Sequence, residues 1–265
     1  MENYFSVVAT SAQVNTPPGS YSTLREWALN SFMDKESKVL EVGCSTGFIS
    51  IELARYVRAT CLGVDLHLNG LLRAKMNVDS YVAARVSFSC GGAQNLPFKD
   101  GQFDHVVIGG HLPFITSEDR VGHILESCRV VRAWGYLLVA IYYYRIPPPS
   151  RLVKEMNSTI GTFLSVADNK SYWTKLFERF PLTLEYEAEY RVVPGSKERV
   201  HDYLSRMPEG TREAWKKYLH LFNQNGRFLN YFVRVYRKIP NAPTLMIQIP
   251  RGGIYETRVI ANLGR

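Results

Sequence analysis

Cysteine is scarce in this sequence: four in 265 residues (Cys44, Cys61, Cys90 and Cys128), with no Cys-x-x-Cys pair and no histidine at metal-ligand spacing. A disulfide framework and a zinc site are therefore not expected, and each thiol, set in an apolar segment, reads as reduced and half-buried. Long hydrophobic runs are absent too; none approaches the ~18–20 apolar residues that a membrane-crossing helix requires. The first ten residues carry no basic stretch ahead of a hydrophobic one, so no secretory signal is expected and the expected location is cytoplasmic. Charged residues are a modest 21% against 46% apolar, which excludes a disordered chain. No internal repeat or low-complexity tract is visible. A chain of this length fits one large domain, or a domain with an elaborated cap, and can bury a core without staples.

Acid is the scarcer charge, 24 Asp and Glu against 32 Lys and Arg, for a net of +8. The imbalance is local. Residues 1–145 hold thirteen of each sign, so the whole excess lies in residues 146–265; from Arg234 onward six basic residues face one acid, Glu256. A basic C-terminal third can attract nucleic acid or an anionic substrate. The plainer reading is a solvated face that keeps the protein soluble.

After a polar segment broken by Pro17-Pro18-Gly19, the spacing of Leu24, Trp27, Ala28 and Phe32 predicts a helix. A regular alternation follows. Strands are expected at 38–43, 60–65, 85–90, 103–110 and 135–145. Helices are expected at 46–58 with Phe48, Ile49, Leu53 and Val57 inward, at 69–80 with Leu71, Leu72 and Met76 on one side, and at 117–132. Strands nearly continuous in Val, Leu and Ile predict a parallel sheet covered on both faces. Beyond Pro147-Pro148-Pro149 the pattern predicts helices at 150–164 and 169–180, an alternating strand at 182–193, amphipathic helices at 196–206 and 211–224, and a strand at 228–238. A strand pair is expected within 244–261, around Arg251-Gly252-Gly253. The expected units are an N-terminal lid and helix (1–35), a Rossmann-like core (36–145), a helical substrate cap with one core strand (146–227), and the last core strand with a C-terminal hairpin (228–265).

The chemistry concentrates where the first strand meets its helix, Val39-Leu40-Glu41-Val42-Gly43-Cys44-Ser45-Thr46-Gly47. Glycines at such a turn let backbone approach a ligand, and the helix N-terminus offers free N–H groups. Asp65 lies eighteen residues beyond Gly47 and ends the second strand, where an acid accepts both hydroxyls of a ribose. Its competing reading is a turn or helix N-cap acid. Loop, helix and acid together point to a nucleoside cofactor.

The spacing departs from the dinucleotide fingerprint Gly-x-Gly-x-x-Gly. Glu41-x-Gly43-x-x-x-Gly47 resembles motif I of the class I S-adenosylmethionine-dependent methyltransferases, with Ser45 at their variable middle glycine. Gly91-Gly92-Ala93-Gln94-Asn95-Leu96-Pro97-Phe98 followed by Asp100-Gly101-Gln102-Phe103-Asp104 resembles the matching stretch of the ubiquinone/menaquinone-type subgroup. Val130-Val131-Arg132-Ala133-Trp134-Gly135-Tyr136-Leu137 resembles the turn into the fifth strand, and Asn230-Tyr231-Phe232-Val233-Arg234-Val235 with Arg237-Lys238 resembles the last strand. The resemblance covers about residues 36–145 and 228–238. It implies an α/β, Rossmann-like sheet, mostly parallel with the last strand antiparallel, bearing helical cap insertions and a C-terminal strand pair. It also implies S-adenosyl-L-methionine as cofactor and S-adenosyl-L-homocysteine as product.

By the same resemblance, Glu41, Gly43, Cys44, Ser45 and Gly47 shape the methionine end of the pocket and Asp65 takes the ribose. Leu66 flanks the adenine, Gly92, Ala93 and Gln94 line its edge, and Gly110 and His111 lie under the reactive methyl. Cys44 is read as a small filler rather than a nucleophile. Gly92 stands where the subgroup has an Asp on the adenine amino group, so that contact is absent or falls to Gln94 or Asn95. With Ser45, this keeps a non-catalytic relative open.

Methyl transfer from a sulfonium is an in-line displacement that asks the protein to align the partners and exclude water. The donor is already activated, so a base is needed only for weak or protonated nucleophiles. His111 is the candidate base, against a loop histidine that only hydrogen-bonds backbone or cofactor; His105 reads as a sheet residue. Tyr142, Tyr144 and Arg145 at the end of the fifth strand are candidate acceptor-pocket residues, with Tyr143 on the opposite face and core packing as the competing use. Tyr4, Phe5 and Tyr21 are candidates on an N-terminal lid, Tyr4 toward the acceptor pocket and Tyr21 as a second catalytic group. Glu185, Glu187 and Glu189 share one strand face and read as a solvated or salt-bridged edge rather than a metal cluster. No metal is expected. Gly110-His111-Leu112-Pro113-Phe114 lacks the Asn/Asp-Pro-Pro-Tyr-type motif of base amino-group methylation, and neither a Pro-Cys nucleophile nor an RNA-binding module is recognisable. The expected acceptor is a small metabolite, aromatic or anionic. tRNA or protein methylation and non-catalytic cofactor binding are the alternatives, and the tail hairpin is the expected route to any homodimer.

Overall fold

The computed structural model describes residues 15–193, 201, 204–205, 209–240, 246–251 and 254–259. Helix α1 (Tyr21–Asn30) leads into an alternation of β1 (Lys38–Val42), α2 (Phe48–Tyr56), β2 (Thr60–Asp65), α3 (Leu68–Met76), β3 (Val86–Cys90), β4 (Phe103–Ile108), α4 (Ser117–Val130) and β5 (Val131–Tyr144). Then come α5 (Ser150–Ile160), α6 (Lys170–Phe177), β6 (Leu182–Arg191), α7 (Glu209–Gly226) and β7 (Leu229–Lys238). These strands form one seven-stranded sheet in the order β3-β2-β1-β4-β5-β7-β6. Pairing is parallel from β3 through β5, while β7 runs antiparallel to both β5 and β6. Strands β8 (Met246–Arg251) and β9 (Ile254–Val259) pair antiparallel in a separate sheet. Gly252 and Gly253, around which the strand pair is expected, lie outside the described residues. So do Tyr4, Phe5 and most of the helix expected at 196–206.

Because successive side chains of a strand point to opposite faces, the apolar runs feed two cores. Leu40, Val42, Val106, Ile108, Leu137 and Val139 pack with Ile124 and Cys128 of α4. On the other face Val39, Val107, Leu138 and Ala140 pack with Leu24 and Trp27 of α1 and with Phe48, Ile49 and Leu53 of α2. A third cluster joins Met156 of α5 to Trp215, Tyr218 and Leu221 of α7, and these two helices make the cap.

Four details depart from the apolar patterning. Helix α1 stops at Asn30, and a left-handed Phe32 (φ 52°) turns its ring out to 76% exposure. In α3 the buried stripe is Gly70, Leu71 and Ala74, whose small side chains seat the helix close to the sheet and leave Leu72 and Met76 exposed. Strand β5 begins at Val131 rather than 135, with a register irregularity against β4 between Phe103 and His105. Helix α6 joins the main core through Trp173, Leu176 and Phe177 instead of the cap, because that apolar stripe faces the sheet.

Half of the basic residues from Arg234 onward are spent inside the fold. Arg234 is 1% exposed, bonds Glu187, Tyr236 and Thr174, and lies over the Phe232 ring. Arg237 pairs with Glu185, and Lys238 Nζ donates to the Val131 carbonyl at 2.7 Å. Lys170 bridges Glu187 and Glu189. The three glutamates of β6 are thus all paired, as a salt-bridged edge.

Candidate active site

The strand order reverses between β1 and β4, and ligands of open α/β sheets bind at the carboxyl ends of strands on either side of such a reversal. A cavity of about 560 Å³ opens there. One end is walled by Glu41, Gly43, Cys44, Ser45, Asp65 and Leu66, with Gly92, Ala93 and Gln94 beyond β3 and Gly110 and His111 beyond β4. Of the residues expected to form the cofactor end, Gly47 alone is not on the wall. It holds a left-handed φ of 79° as the N-cap of α2 and packs against Phe88.

The loop is shaped by hydrogen bonds between its own parts. Gly43 N and Cys44 N both donate to Val64 O, tying the turn to the end of β2. Asp65 Oδ2 accepts the Ser45 N–H at 2.8 Å, and Oδ1 accepts the His67 N–H at 2.8 Å with the His67 ring at 3.2 Å. Burial by itself raises the Asp65 pKa, but the bonds from His67 and Ser45 outweigh it and hold the carboxyl below its ordinary value, so Asp65 is ionised. Glu41 is different. Its Oε2 accepts both Ser50 N (2.8 Å) and Ser50 Oγ (2.6 Å), capping the first turn of α2 from the neighbouring strand. Burial nevertheless pushes its pKa to about 8 against those two bonds. Cys44 is buried, and burial drives its thiol well above the ordinary range, as suits a filler.

Gly43 is required by what faces it. Its φ is 73°, and a Cβ there would come within 2.9 Å of His111 Nδ1. His111 turns back from β4 so that Nε2 lies 3.0 Å from His123 Nδ1 on α4. Burial lowers the pKa of both rings, to about 3 for His111 and about 4 for His123; both are neutral near pH 7. His105 stays in the sheet, its Nε2 3.0 Å from Ser31 O.

The far end of the cavity is aromatic: Phe114, Tyr142, Trp215, Tyr218 and Phe222. Tyr142 meets Phe222 edge-on at 5.7 Å. Three expected site residues do not reach this space. Tyr144 shares a strand face with Tyr142 but is buried one step further along, its hydroxyl bonded by Asn225 Nδ2 at 2.9 Å. Arg145 is exposed and bonds the Arg227 carbonyl. Tyr21 is 52% exposed and stacks edge-on to Phe48 and Tyr56 at the surface, off the cavity wall. The N-terminal residues on the wall are instead Asn15, Thr16, Pro17 and Pro18. Sequence reasoning missed His123, Asp119 and the α7 aromatics. Trp215, Tyr218 and Phe222 recur at helical spacing, a signal that could have found them; nothing local links His123 to His111.

The cavity fits a nucleoside cofactor. Besides the ionised Asp65, the buried Ser45 Oγ has no hydrogen-bond partner among the described residues. A Cβ added at Gly92 would meet nothing within 4 Å, so the β3 rim is open. Residues 39–135 match the family described as a methyltransferase domain. Over 86 residues the chain is 37% identical to the human tRNA (uracil-5-)-methyltransferase homolog A, covering 32% of this chain and 13% of that one. Over 104 residues it is 34% identical to the demethylmenaquinone methyltransferase of Bacillus cereus, covering 38% and 43%. The chain thus spans less than half the length of either relative. The crystal structure of MccD protein superposes with a TM-score of 0.74 at 24% identity, over 85% of this chain and 100% of that one, a likeness of fold. Residues 39–135 thus carry a methyltransferase domain, similar to that of S-adenosylmethionine-dependent methyltransferases of class I.

Proposed function

We propose that this protein transfers a methyl group from S-adenosyl-L-methionine to a small, uncharged, largely apolar acceptor held in the cavity. The observation that carries the reading is the lining: acids and a glycine loop at one end, aromatic side chains at the other, and no lysine or arginine among the described lining residues. A phosphate or carboxylate acceptor buried there would have no described lysine or arginine to pair with, and an unpaired buried charge is costly. An aromatic or aliphatic acceptor gains from the same walls.

In this reading Asp65 binds the ribose hydroxyls, the 43–47 loop cradles the methionine end, and Gly92, Ala93 and Gln94 border the base. The cofactor supplies a methyl group already activated on its sulfonium. The α5–α7 cap excludes water and orients the acceptor, and His111 receives a proton where the acceptor must lose one. Nucleic acid is not favoured, because Arg234, Arg237 and Lys238 are engaged inside the fold and are not a free basic face. The kinship with a tRNA methyltransferase spans 13% of that relative and adds little on the acceptor. A cytoplasmic location and a homodimer through β8 and β9 belong to the same proposal; sedimentation velocity tests the dimer.

Calorimetric titration of S-adenosyl-L-homocysteine into the wild type and Asp65→Ala tests the cofactor half. Binding lost in the variant supports it, and no binding to the wild type sinks it. Methyl-labelled donor incubated with a small-metabolite extract and, separately, with total RNA tests the acceptor half. Label in the RNA alone would overturn the small-molecule reading.

A further inference from the structure

The His111–His123 contact asks more of the site than a lone base would. The rings are 5.2 Å apart and tilted by 55°, and both lie on the cavity wall between the glycine loop and the aromatic cap. One nitrogen of the 3.0 Å pair must carry the hydrogen. Asp119, one turn before His123 on α4, is the carboxylate that acts on that ring. With the His123 proton on Nε2, the nitrogen outside the pair, Nδ1 is left bare to accept. His111 then donates through Nε2, and its own Nδ1 is the lone pair beside Gly43. Asp65 acts on the His111 ring from β2, and Glu41, Cys44 and His67 are the other titratable groups on the wall at that end.

We infer that His111 and His123 work as one unit, in which His123 fixes the tautomer that bares His111 Nδ1 and passes on the proton that an acceptor hydroxyl or amine loses on methylation. The inference rests on the methyl-transfer reading above. The acceptor heteroatom's electron pair forms the new bond to the methyl carbon as the carbon–sulfur bond breaks, and that bond's pair stays on sulfur as a thioether. The acceptor's proton goes to His111 Nδ1, the Nε2 proton of His111 to His123 Nδ1, and the Nε2 proton of His123 toward Asp119. Asp119 lines the same cavity, bonded by Thr116 Oγ1 at 2.8 Å and by Gln94 Nε2. At the end neither ring is charged. A single imidazole would have to hold the charge in a place where burial opposes it. His123 is therefore a positioning and relay residue, while His111 is the group that meets the acceptor.

Side-chain ¹⁵N NMR of the S-adenosyl-L-homocysteine-loaded protein from pH 5 to 8 tests this without an acceptor. Both rings are expected neutral throughout as Nε2–H tautomers. His111 should lose its single tautomer in His123→Ala and keep it in His123→Asn, whose amide leaves an acceptor near the Nδ1 position. A ring that titrates near pH 6.5, or His111 found as the Nδ1–H tautomer, overturns the inference. With the first acceptor that the labelled-donor screen identifies, His123→Asn should lower kcat on the order of 10²-fold at unchanged KM; an unchanged kcat overturns the relay. Failure of the wild type to bind S-adenosyl-L-homocysteine would instead strike the methyl-transfer reading itself.

Discussion

Ser45 donates its backbone N–H to Asp65 Oδ2 at 2.8 Å while holding a φ of 47°, so a strained non-glycine residue orients the acid of the proposed cofactor end. A left-handed conformation costs an ordinary residue about 1 kcal/mol or more. Ser45→Gly relieves that cost but frees the unfolded chain. The expected net is a stability gain of about 1 kcal/mol or less by thermal melting, with S-adenosyl-L-homocysteine affinity within a few-fold of wild type. Asp65→Ala, by contrast, should cost at least ~10²-fold in that affinity, the loss of a charge-assisted bond pair.

Arg120 pins the loop that carries His111 and Phe114. Its guanidinium bonds Asp168 through two atoms at 2.8 and 2.9 Å, donates to the carbonyls of Leu112 and Pro113, and lies 4.8 Å from the Trp173 ring centroid. Both partners are buried. Arg120→Met leaves Asp168 charged and unpaired, and should lose about 3–5 kcal/mol in urea unfolding. Arg120→Met with Asp168→Leu should recover much of that loss. A double variant no better than the single one would mean that the carbonyl contacts, not the ion pair, hold the loop.

Much of this arrangement is legible along the chain. The first strand, glycine turn and following helix announce themselves because Val39 to Val42 are continuously apolar but for Glu41 and end in Gly43. Asp65 follows at the end of the next apolar run. What local pattern cannot supply is which of two stripes a helix buries, and α3 shows why: Gly70 and Ala74 permit a close approach that Leu72 and Met76 would block. Alternation assigned Tyr142 and Tyr144 to one face correctly, yet only the position of Asn225 on α7 shows that Tyr144 is sealed off. Charge counting assigned Arg234 to a basic tail, and burial between β6 and the Phe232 ring removes it. His123 depends on a loop folding back across twelve residues, which no periodicity encodes.

His111 and His123 contribute to the acid limb of stability. Their folded pKa values, about 3 and about 4, lie below the ordinary 6.5, so below that pH the unfolded chain binds more protons than the native one. Their contribution is complete above pH 6.5 and is lost as pH falls toward 4. Glu41 works the other way. Its folded value of about 8 exceeds the ordinary 4.5, so the native state alone keeps a proton between those values, and stability falls as pH rises through the window. The two trends together place the maximum near pH 6.5. Melting temperatures across pH 4–9 check this: Glu41→Gln should flatten the alkaline limb and leave the acid limb in place.

Gly92 leaves the β3 rim without the carboxylate that the subgroup carries there. Because an added Cβ meets nothing within 4 Å, Gly92→Asp should fold as the wild type does. One restored hydrogen bond to an ionised acceptor is worth about 1.5 kcal/mol or more, so S-adenosyl-L-methionine affinity should rise roughly tenfold by calorimetry. No gain, or a loss, would place the adenine elsewhere than this rim.

The cap should set acceptor affinity without touching the cofactor. Phe222 of α7 meets Tyr142 edge-on at 5.7 Å, and both rings line the cavity. Phe222→Ala removes aromatic surface from the acceptor wall, and the lost burial and ring contact together are worth about 2–3 kcal/mol. The acceptor KM should therefore rise by at least ~10-fold, while S-adenosyl-L-homocysteine binds within about threefold of wild type. The asymmetry is the informative part. Equal losses in both affinities would mean that α7 supports the whole cavity as a structural roof, and that the aromatic end does not select the acceptor.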